Sequence, residues 1–221
     1  MKHAIVTIDG PAGSGKSTIA AAVASDLGFT YLDTGALYRG AALAIEVEGG
    51  NINDPDHLVR ILADTTIALS NQKVLVNGNN VTAKIRSHHI SDLASQISVH
   101  PQVRSALMNI QRSFARTSSV VAEGRDTGSI VFPEADVKIF LDASMKERAK
   151  RRHQELASLG VDIPFKQVFK DMEIRDRRDK TRQTSPLIIP HNAIVVDTTQ
   201  LKLEEVIEIV LCLVRDRLSY K

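Results

Sequence analysis

Hydrophobic positions along the chain follow two different periods, and their order predicts strands that alternate with helices. Residues 2–8 predict a strand, and residues 17–27 predict a helix that follows a glycine-rich stretch. Residues 29–33 predict a second strand, which leads into a helix that we expect Thr34 to cap and Gly49 to end. A strand followed by a helix, twice in succession, favours a parallel sheet.

The middle of the chain interrupts this order. Residues 54–69 predict a helix with Asn53 or Asp54 as its cap. The segment KVLVNGNNVTAKI then contains two β-rich runs around an Asn-Gly turn, which is typical of a hairpin. Two further helices are predicted at residues 91–100 and 101–115. Because a hairpin does not belong to a parallel sheet, we expect an insert over about residues 50–111.

The order of strands and helices resumes after the insert. The segments SSVVAEG and VKIFLDAS predict two strands. Two basic helices are predicted at residues 145–159 and 165–179, followed by a strand at 193–196 and an amphipathic helix at 203–218. The sequence therefore predicts an α/β fold in which helices flank a five-stranded parallel sheet.

Composition is typical of a globular protein and indicates no membrane partner. Of the 221 residues, 43% are hydrophobic and 24% are charged. The apolar run near the start is too short for a signal peptide or a membrane span, so we expect a cytoplasmic protein. The single cysteine, Cys212, lies in the apolar run VIEIVLCLV and is predicted to be a core residue.

Positive charge is concentrated in one region of the chain. The net charge is only +2, but residues 148–182 carry 11 Lys or Arg against 6 Asp or Glu. Such an excess favours an anionic ligand, although a solvated helical face would show the same pattern.

The glycine-rich stretch matches the pattern G-x-x-x-x-G-K-[ST] without a mismatch and lies between a predicted strand and a predicted helix. Its glycines allow amide N–H groups to point inward around phosphates. Lys16 can reach the β and γ phosphates, and the Ser17 hydroxyl is placed to bind Mg²⁺ directly. A guanine-reading Asn-Lys-x-Asp segment is absent from the sequence. The residues predicted to bind the triphosphate are Gly10, Pro11, Ala12, Gly13, Ser14, Gly15, Lys16, Ser17 and Thr18.

Three other segments place charged side chains at strand ends or on one helix face. Ligands of open α/β sheets bind at the carboxyl ends of the strands, so these segments predict a second, anionic substrate. Asp33 and Glu123, both at strand ends, are also candidates for binding Mg²⁺ through water. Each segment alone is equally consistent with a helix cap or a surface ion pair. The segments are LDTGALYR with Asp33, Thr34 and Arg39, VAEGRDTG with Glu123, Arg125 and Asp126, and RDRRDKTR with Arg175, Asp179 and Arg182.

The segments IDGPAGSGKST, YLDTGALYR, VAEGRDTG, VFPEADVKIFLDAS and RDRRDKTRQTSPL, in this order, resemble bacterial cytidylate (CMP) kinases across nearly the whole chain. The resemblance implies a P-loop nucleoside monophosphate (NMP) kinase fold with an inserted α+β NMP-binding lobe and a short lid. It implies transfer of the γ-phosphoryl group from ATP to CMP or dCMP with Mg²⁺. We expect a monomer with small-molecule substrates and no nucleic-acid partner. The implied division is a core at 1–49, 112–147 and 183–221, an NMP-binding insert at about 50–111, and a lid with basic helices at about 148–182.

The resemblance also assigns roles to individual residues. Ser95, Asp126 and Arg182 would read the cytosine, and Ser95 is assigned on the resemblance alone. Two residues depart from the family pattern: Thr127 stands where an apolar residue is usual, and Ser129 where threonine is common. The implied CMP contacts are Thr34, Arg39, Ser95, Arg104, Arg125, Asp126, Arg175, Asp179 and Arg182, and the implied catalytic residues are Lys16, Arg125, Arg152 and Arg175.

Two other functions remain open at this point. A P-loop kinase of another small acceptor, such as UMP, a sugar or an alcohol, would share the glycine loop. An alcohol acceptor would call for a general base, for which Asp33 or Asp126 would have to serve. A nucleotide-gated RNA-binding protein would use the basic helices, but the sequence offers no set of aromatic side chains for base stacking.

Overall fold

The protein, described here by a computed structural model over residues 3–70 and 73–219, folds around a five-stranded parallel sheet. Strand β1 (Ile5–Asp9) lies in the middle and pairs with β6 (Val120–Gly124) on one side and β7 (Val137–Asp142) on the other. The predicted α/β fold and parallel sheet are confirmed, while Lys2, the predicted start of the first strand, lies outside the described residues. The strands are β1 (Ile5–Asp9), β2 (Thr30–Asp33), β6 (Val120–Gly124), β7 (Val137–Asp142) and β8 (Ile194–Asp197), in the order β2-β6-β1-β7-β8.

Helices cover both faces of this sheet, which explains why its strands are nearly continuous hydrophobic runs. On one face, α1 (Lys16–Leu27) and α8 (Leu203–Ser219) pack against the side chains of β1 and β7. On the other face, α2 (Thr34–Val47) packs with helices of the insert. A third, smaller cluster joins α6 (Met145–Ser158) and α7 (Phe165–Thr181) to Ala12. Within the described residues, no helix combines the length and the apolar character needed to cross a membrane.

Between α2 and β6 the chain forms a group of elements of its own. Its three strands make an antiparallel sheet, and the predicted Asn-Gly turn joins the second strand to the third. Asn77 and Gly78 have φ angles of 49° and 77°, which are the successive positive values of a type I′ turn. The elements are α3 (Pro55–Ala63), β3 (Ile67–Ser70), β4 (Lys73–Val76), β5 (Asn79–Asn80), α4 (His88–Ile97) and α5 (Pro101–Thr117).

The predicted helix over residues 54–69 is wrong in its second half, because α3 ends at Ala63 and the strand β3 follows. Thr65 Oγ1 donates to the Ile61 carbonyl at 2.7 Å, and the Thr66 amide donates to Asn77 Oδ1 at 2.8 Å. Two β-branched residues in succession disfavour a helix, and pairing with β4 supplies the backbone partners that a longer helix would have had.

The structure corrects two sequence predictions, the burial of Cys212 and the capping residue of α2. Cys212 is exposed, because the buried face of α8 is formed by Val206, Val210 and Val214 at four-residue intervals. Asp33, and not Thr34, caps α2: its Oδ1 accepts a hydrogen bond from the Ala36 amide at 2.7 Å.

A buried carboxylate joins the end of β1 to the turn that follows β6. Asp9 Oδ1 accepts hydrogen bonds from the Thr127 amide at 2.9 Å and the Thr127 hydroxyl at 2.7 Å, and Oδ2 accepts from the Gly128 amide at 2.7 Å. Burial raises the pKa of Asp9, and these three donors oppose that rise. The unusual Thr127 therefore contributes a hydrogen bond, which helps to fix the turn that carries Arg125 and Asp126.

Replacing Thr127 by valine removes this hydroxyl donor at nearly constant side-chain volume. We expect the free energy of unfolding, measured by urea denaturation, to fall by about 1–2 kcal/mol because a buried acceptor loses a donor. Thr7→Val is the matched control: Thr7 is fully buried, and its Oγ1 has no hydrogen-bond partner among the described residues. Thr7→Val should leave stability unchanged or higher, and equal losses in the two variants would contradict this assignment.

Candidate active site

One cavity of about 770 Å³ lies at the carboxyl ends of β1, β2 and β6. Residues 12–18 of the predicted triphosphate loop line it, whereas Gly10 and Pro11 do not. The predicted metal-binding residues Ser17, Asp33 and Glu123 also line the cavity, as does Arg152. So does every residue predicted to contact the acceptor, namely Thr34, Arg39, Ser95, Arg104, Arg125, Asp126, Arg175, Asp179 and Arg182.

The glycines of the loop allow close approach between backbone segments. A Cβ atom on Gly10 would lie 2.0 Å from the Leu141 carbonyl oxygen, and one on Gly13 would lie 2.8 Å from the Arg148 carbonyl oxygen. Both residues also have positive φ angles, of 153° and 73°. The loop is therefore packed tightly against the end of β7 and the first turn of α6.

Lys16 is buried against its own loop. Its Nζ donates to the Pro11 carbonyl at 2.6 Å and lies 3.3 Å from Ser14 Oγ. Burial, together with the positive charge of Arg125, lowers the pKa of Lys16 to about 7. An anion bound in the loop would favour the charged ammonium and raise this pKa again.

Ser17, Glu123 and Asp33 bring oxygen atoms together beside the loop. Ser17 Oγ donates to Glu123 Oε1 at 2.7 Å. Burial, together with the nearby charge of Asp33, raises the pKa of Glu123 to about 7. Asp33 Oδ2 accepts from Arg39 Nη2 at 2.9 Å. Over residues 3–70 and 73–219, no group of three or more His, Cys, Asp or Glu side chains is arranged to hold a metal ion by itself.

Asp126 lies between two arginines on the opposite side of the cavity. Arg104 Nη2 forms a short ion pair with Asp126 Oδ2, and Arg182 Nη2 lies 3.7 Å from Asp126 Oδ1. The Arg104 guanidinium also lies 5.4 Å from the centre of the Tyr38 ring, within the range of a cation–π contact. The carboxylate of Asp126 is thus held in place as a hydrogen-bond acceptor.

Asp179 is the second carboxylate that holds arginines in this region. It accepts a hydrogen bond from Arg125 Nε at 3.0 Å. Burial alone would raise its pKa, but the charges of Arg125, Arg175 and Arg182 hold the pKa of Asp179 below its usual value. Burial, together with the charge of Arg125, lowers the pKa of Arg175 to about 10.

Several guanidinium nitrogens in the cavity have no hydrogen-bond partner among the described residues. Buried N–H groups without partners are rare, because each loses the hydrogen bond that water would have given it. An anionic or carbonyl-bearing ligand that reached them would supply the missing acceptor. The atoms are Arg104 Nε, Arg175 Nε and Arg182 Nη2.

The remaining predicted side chains form hydrogen bonds or ion pairs with neighbouring residues. Thr34 Oγ1 donates to the Glu123 carbonyl at 2.7 Å, and Arg152 forms an ion pair with Glu155 at 2.8 Å. Ser95, on the last turns of α4, accepts a hydrogen bond from Arg178 at 2.9 Å.

Two arginines outside the predicted site residues, Arg148 and Arg178, link the elements that carry that site. Arg148 is buried, and its Nη1 donates to the Ala12 carbonyl at 3.0 Å and to Asp176 at 2.6 Å, which ties α7 to the loop after β1. Arg178 joins α7 to α4. The signal was present in RDRRDKTR, since Arg178 lies three residues after Arg175 and so near the same helix face.

Comparison with known proteins places the chain in a family. The family model described as cytidylate kinase matches residues 6–216. The chain belongs to the cytidylate kinase family. A cytidylate kinase of Carboxydothermus hydrogenoformans is 45% identical over 206 residues, covering 91% of this chain and 93% of the relative. The cytidylate kinase of Pasteurella multocida is 40% identical over 221 residues, covering 98% and 97% of the two chains.

Two solved structures with a similar fold are less similar in sequence to this protein than the two cytidylate kinases are. TT1252 from Thermus thermophilus has a TM-score of 0.50 at 21% identity and covers 99% of both chains. A gluconokinase from Sinorhizobium meliloti has a TM-score of 0.50 at 17% identity and covers 99% of this chain and 95% of its own. At these identities the likeness supports the fold alone.

The lowered pKa of Lys16 predicts that a nucleoside triphosphate binds together with a proton. In the free protein the Lys16 amine is largely neutral above pH 7. The bound phosphates favour its charged form, so we expect about one proton to be taken up at pH 8. The affinity for the triphosphate should therefore fall as the pH rises. Calorimetric titration without Mg²⁺, in buffers of different ionisation enthalpy, measures this uptake.

Lys16→Met should abolish most of the uptake, whereas Lys146→Met, at an exposed position of α6, should leave it unchanged. A heat of binding that does not depend on the buffer would contradict the assigned pKa of Lys16.

Proposed function

We propose that this protein transfers the γ-phosphoryl group of ATP to CMP or dCMP, giving ADP and CDP or dCDP. One observation supports the proposal above all: in this member of the cytidylate kinase family, a single cavity is lined both by the triphosphate loop and by the arginines around Asp126 and Asp179. We call this arginine-rich part of the cavity the acceptor side. Both substrates are anionic at the reacting end, which suits the positive charge of the cavity.

The loop from Gly10 to Thr18 binds the ATP phosphates. Its amide N–H groups and the N-terminus of α1 attract the phosphate charge, and Lys16 turns from the Pro11 carbonyl to the β and γ phosphates. The negative charge of the bound phosphates would offset the burial that lowers the pKa of Lys16.

The residues around Ser17 fit a Mg²⁺ ion that accompanies ATP. Mg²⁺ prefers oxygen ligands and retains several waters, and this cluster offers one hydroxyl and two carboxylates. We assign direct binding to Ser17 and binding through water to Asp33 and Glu123. When bound, the ion would neutralise charge on the β and γ phosphates.

The arginine-rich side binds the acceptor nucleotide. Arg39 and Arg125 hold its phosphate, and Arg175 with Asp179 lies at the sugar, with Thr34 and Arg104 completing the site. Ser95, Asp126 and Arg182 read the base. Asp126, paired with two arginines, accepts a hydrogen bond from the amino group of cytosine, while the carbonyl oxygen of uracil at that position would meet a second acceptor. This pairing favours CMP over UMP.

Phosphoryl transfer then needs no covalent intermediate with the protein. An oxygen of the acceptor phosphate attacks the γ phosphorus, and the bond to the oxygen that bridges the β and γ phosphorus atoms breaks as ADP leaves. The phosphate monoester is already an anionic nucleophile, so no general base is required. Lys16, Arg125, Arg152 and Arg175 lower the barrier by neutralising charge on the transferred group.

We propose that residues of about 50–111 form the NMP-binding lobe and residues of about 148–182 form the lid, around a core at 1–49, 112–147 and 183–221. Closure of both would exclude water and limit hydrolysis of ATP. We further propose a cytoplasmic monomer whose partners are its small-molecule substrates.

An ADP-release assay with ATP, Mg²⁺ and a panel of CMP, dCMP, UMP, AMP and GMP tests this function. We expect rapid turnover with CMP and dCMP, and a kcat/KM for UMP at least about tenfold lower because one hydrogen bond to Asp126 becomes a repulsion. Rapid turnover with AMP or GMP and none with CMP would contradict the proposal. Lys16→Ala should abolish transfer to every acceptor, which shows that the measured activity belongs to this loop.

A further inference from the structure

Arg178 contacts the acceptor side of the cavity although it does not line the cavity itself. It lies on α7, one turn from Arg175 and from Arg182. Its Nη1 donates to Ser95 Oγ at 2.9 Å and to Asp92 Oδ1 at 3.1 Å, both on α4. The guanidinium therefore joins the insert to the helix that carries most of the acceptor arginines.

We propose that Arg178 is a specificity-determining positioning residue: it fixes the Ser95 hydroxyl in the orientation that reads the acceptor base. This inference rests on the proposed function, in which Ser95 contacts cytosine. Arg178 itself does not touch the substrate.

The chemistry of the two side chains explains why this contact orients the hydroxyl. A serine hydroxyl has one donor and two acceptor positions and rotates freely unless a partner fixes it. A guanidinium can only donate, so Arg178 occupies one lone pair of Ser95 Oγ. The O–H group and the remaining lone pair then share the two other positions, so less entropy is lost when the ligand fixes them.

Asp92 holds the guanidinium in place for this task. Partial burial would raise the pKa of Asp92, but the hydrogen bond from Arg178 keeps it below its usual value. The side chains of Arg178 and Asp92 are 25% and 49% exposed, so the ion pair by itself contributes little to stability. If Arg178→Ala changes the kinetic constants strongly, the cause is therefore the lost hydrogen bond to Ser95, which is only 5% exposed.

A second contact between the same two helices supports this role for α7. Arg182 Nη1 donates to the hydroxyl of Ser98, the C-cap residue of α4, at 3.2 Å. Two arginines one turn apart thus hold the last turns of α4 against α7. The base-reading side of the cavity is complete only while the insert and this helix are in contact.

A double-mutant cycle in steady-state kinetics tests the inference. Arg178→Ala should raise KM for CMP about 5–10-fold. The ratio of kcat/KM for CMP to kcat/KM for UMP should fall by a similar factor. The kcat and the KM for ATP should stay within about 2-fold of the wild-type values. In a Ser95→Ala background the same change should add less than about 2-fold, because Arg178 then has no hydroxyl to orient. Arg178→Lys, which keeps a donor, should restore part of the loss.

Arg177→Ala is the matched control, since Arg177 is the exposed neighbour on the same helix and should leave all constants unchanged. Additive effects of Arg178→Ala and Ser95→Ala, an unchanged KM for CMP, or an equal rise in KM for ATP would each overturn the inference. A wild-type protein that does not use CMP would contradict the proposed function, whereas CMP turnover insensitive to Arg178→Ala would contradict this inference alone.

Discussion

The ion pairs that Asp126 and Asp179 form with the arginines around them hold the acceptor side of the cavity together. Four guanidinium groups, of Arg104, Arg125, Arg175 and Arg182, are gathered around these two carboxylates. Burying charge is costly unless it is paired, and here positive charge exceeds negative charge. Burial and the charge of Arg125 lower the pKa of Arg175, and three buried guanidinium nitrogens lack a hydrogen-bond partner among the described residues, as expected for such an excess. An anionic ligand would remove it, so the same imbalance that costs stability provides affinity for a phosphate.

The parallel sheet determines which residues meet this arginine cluster. Because β2, β6 and β1 are neighbours, their carboxyl ends bring the starts of α2, the turn after β6 and the triphosphate loop to one edge. Helix α7 reaches the same edge from outside the sheet. The contacts that hold it there include Arg148 with Asp176, Arg125 with Asp179, and Arg178 with Ser95. Phosphoryl transfer depends on the relative position of donor and acceptor, and these contacts help to fix that position.

The sequence was sufficient for features that local patterns encode. The triphosphate loop, the five strands and the helix face with Arg175 and Asp179 follow from spacing within short segments, whereas Arg182, predicted on the same face, is the extended C-cap residue that follows α7. Features that depend on distant pairing were missed. β3 was assigned to a helix because its pairing with β4 is not visible in its own periodicity. Arg178 and Ser95 are 83 positions apart, and Arg148 and Asp176 are 28 apart, so no local pattern indicates that they bind each other. Ser95 itself was identified only through the family resemblance.

A crystal structure with CMP and a non-hydrolysable ATP analogue tests the central claim, that one cavity joins a triphosphate loop to a separate, arginine-rich acceptor side. We expect the triphosphate on the loop from Gly10 to Thr18, and the CMP phosphate within hydrogen-bonding distance of Arg39 and Arg125. We expect the cytosine edge against Ser95, Asp126 and Arg182. CMP bound with its base at the triphosphate loop, or bound outside the cavity, would contradict this arrangement.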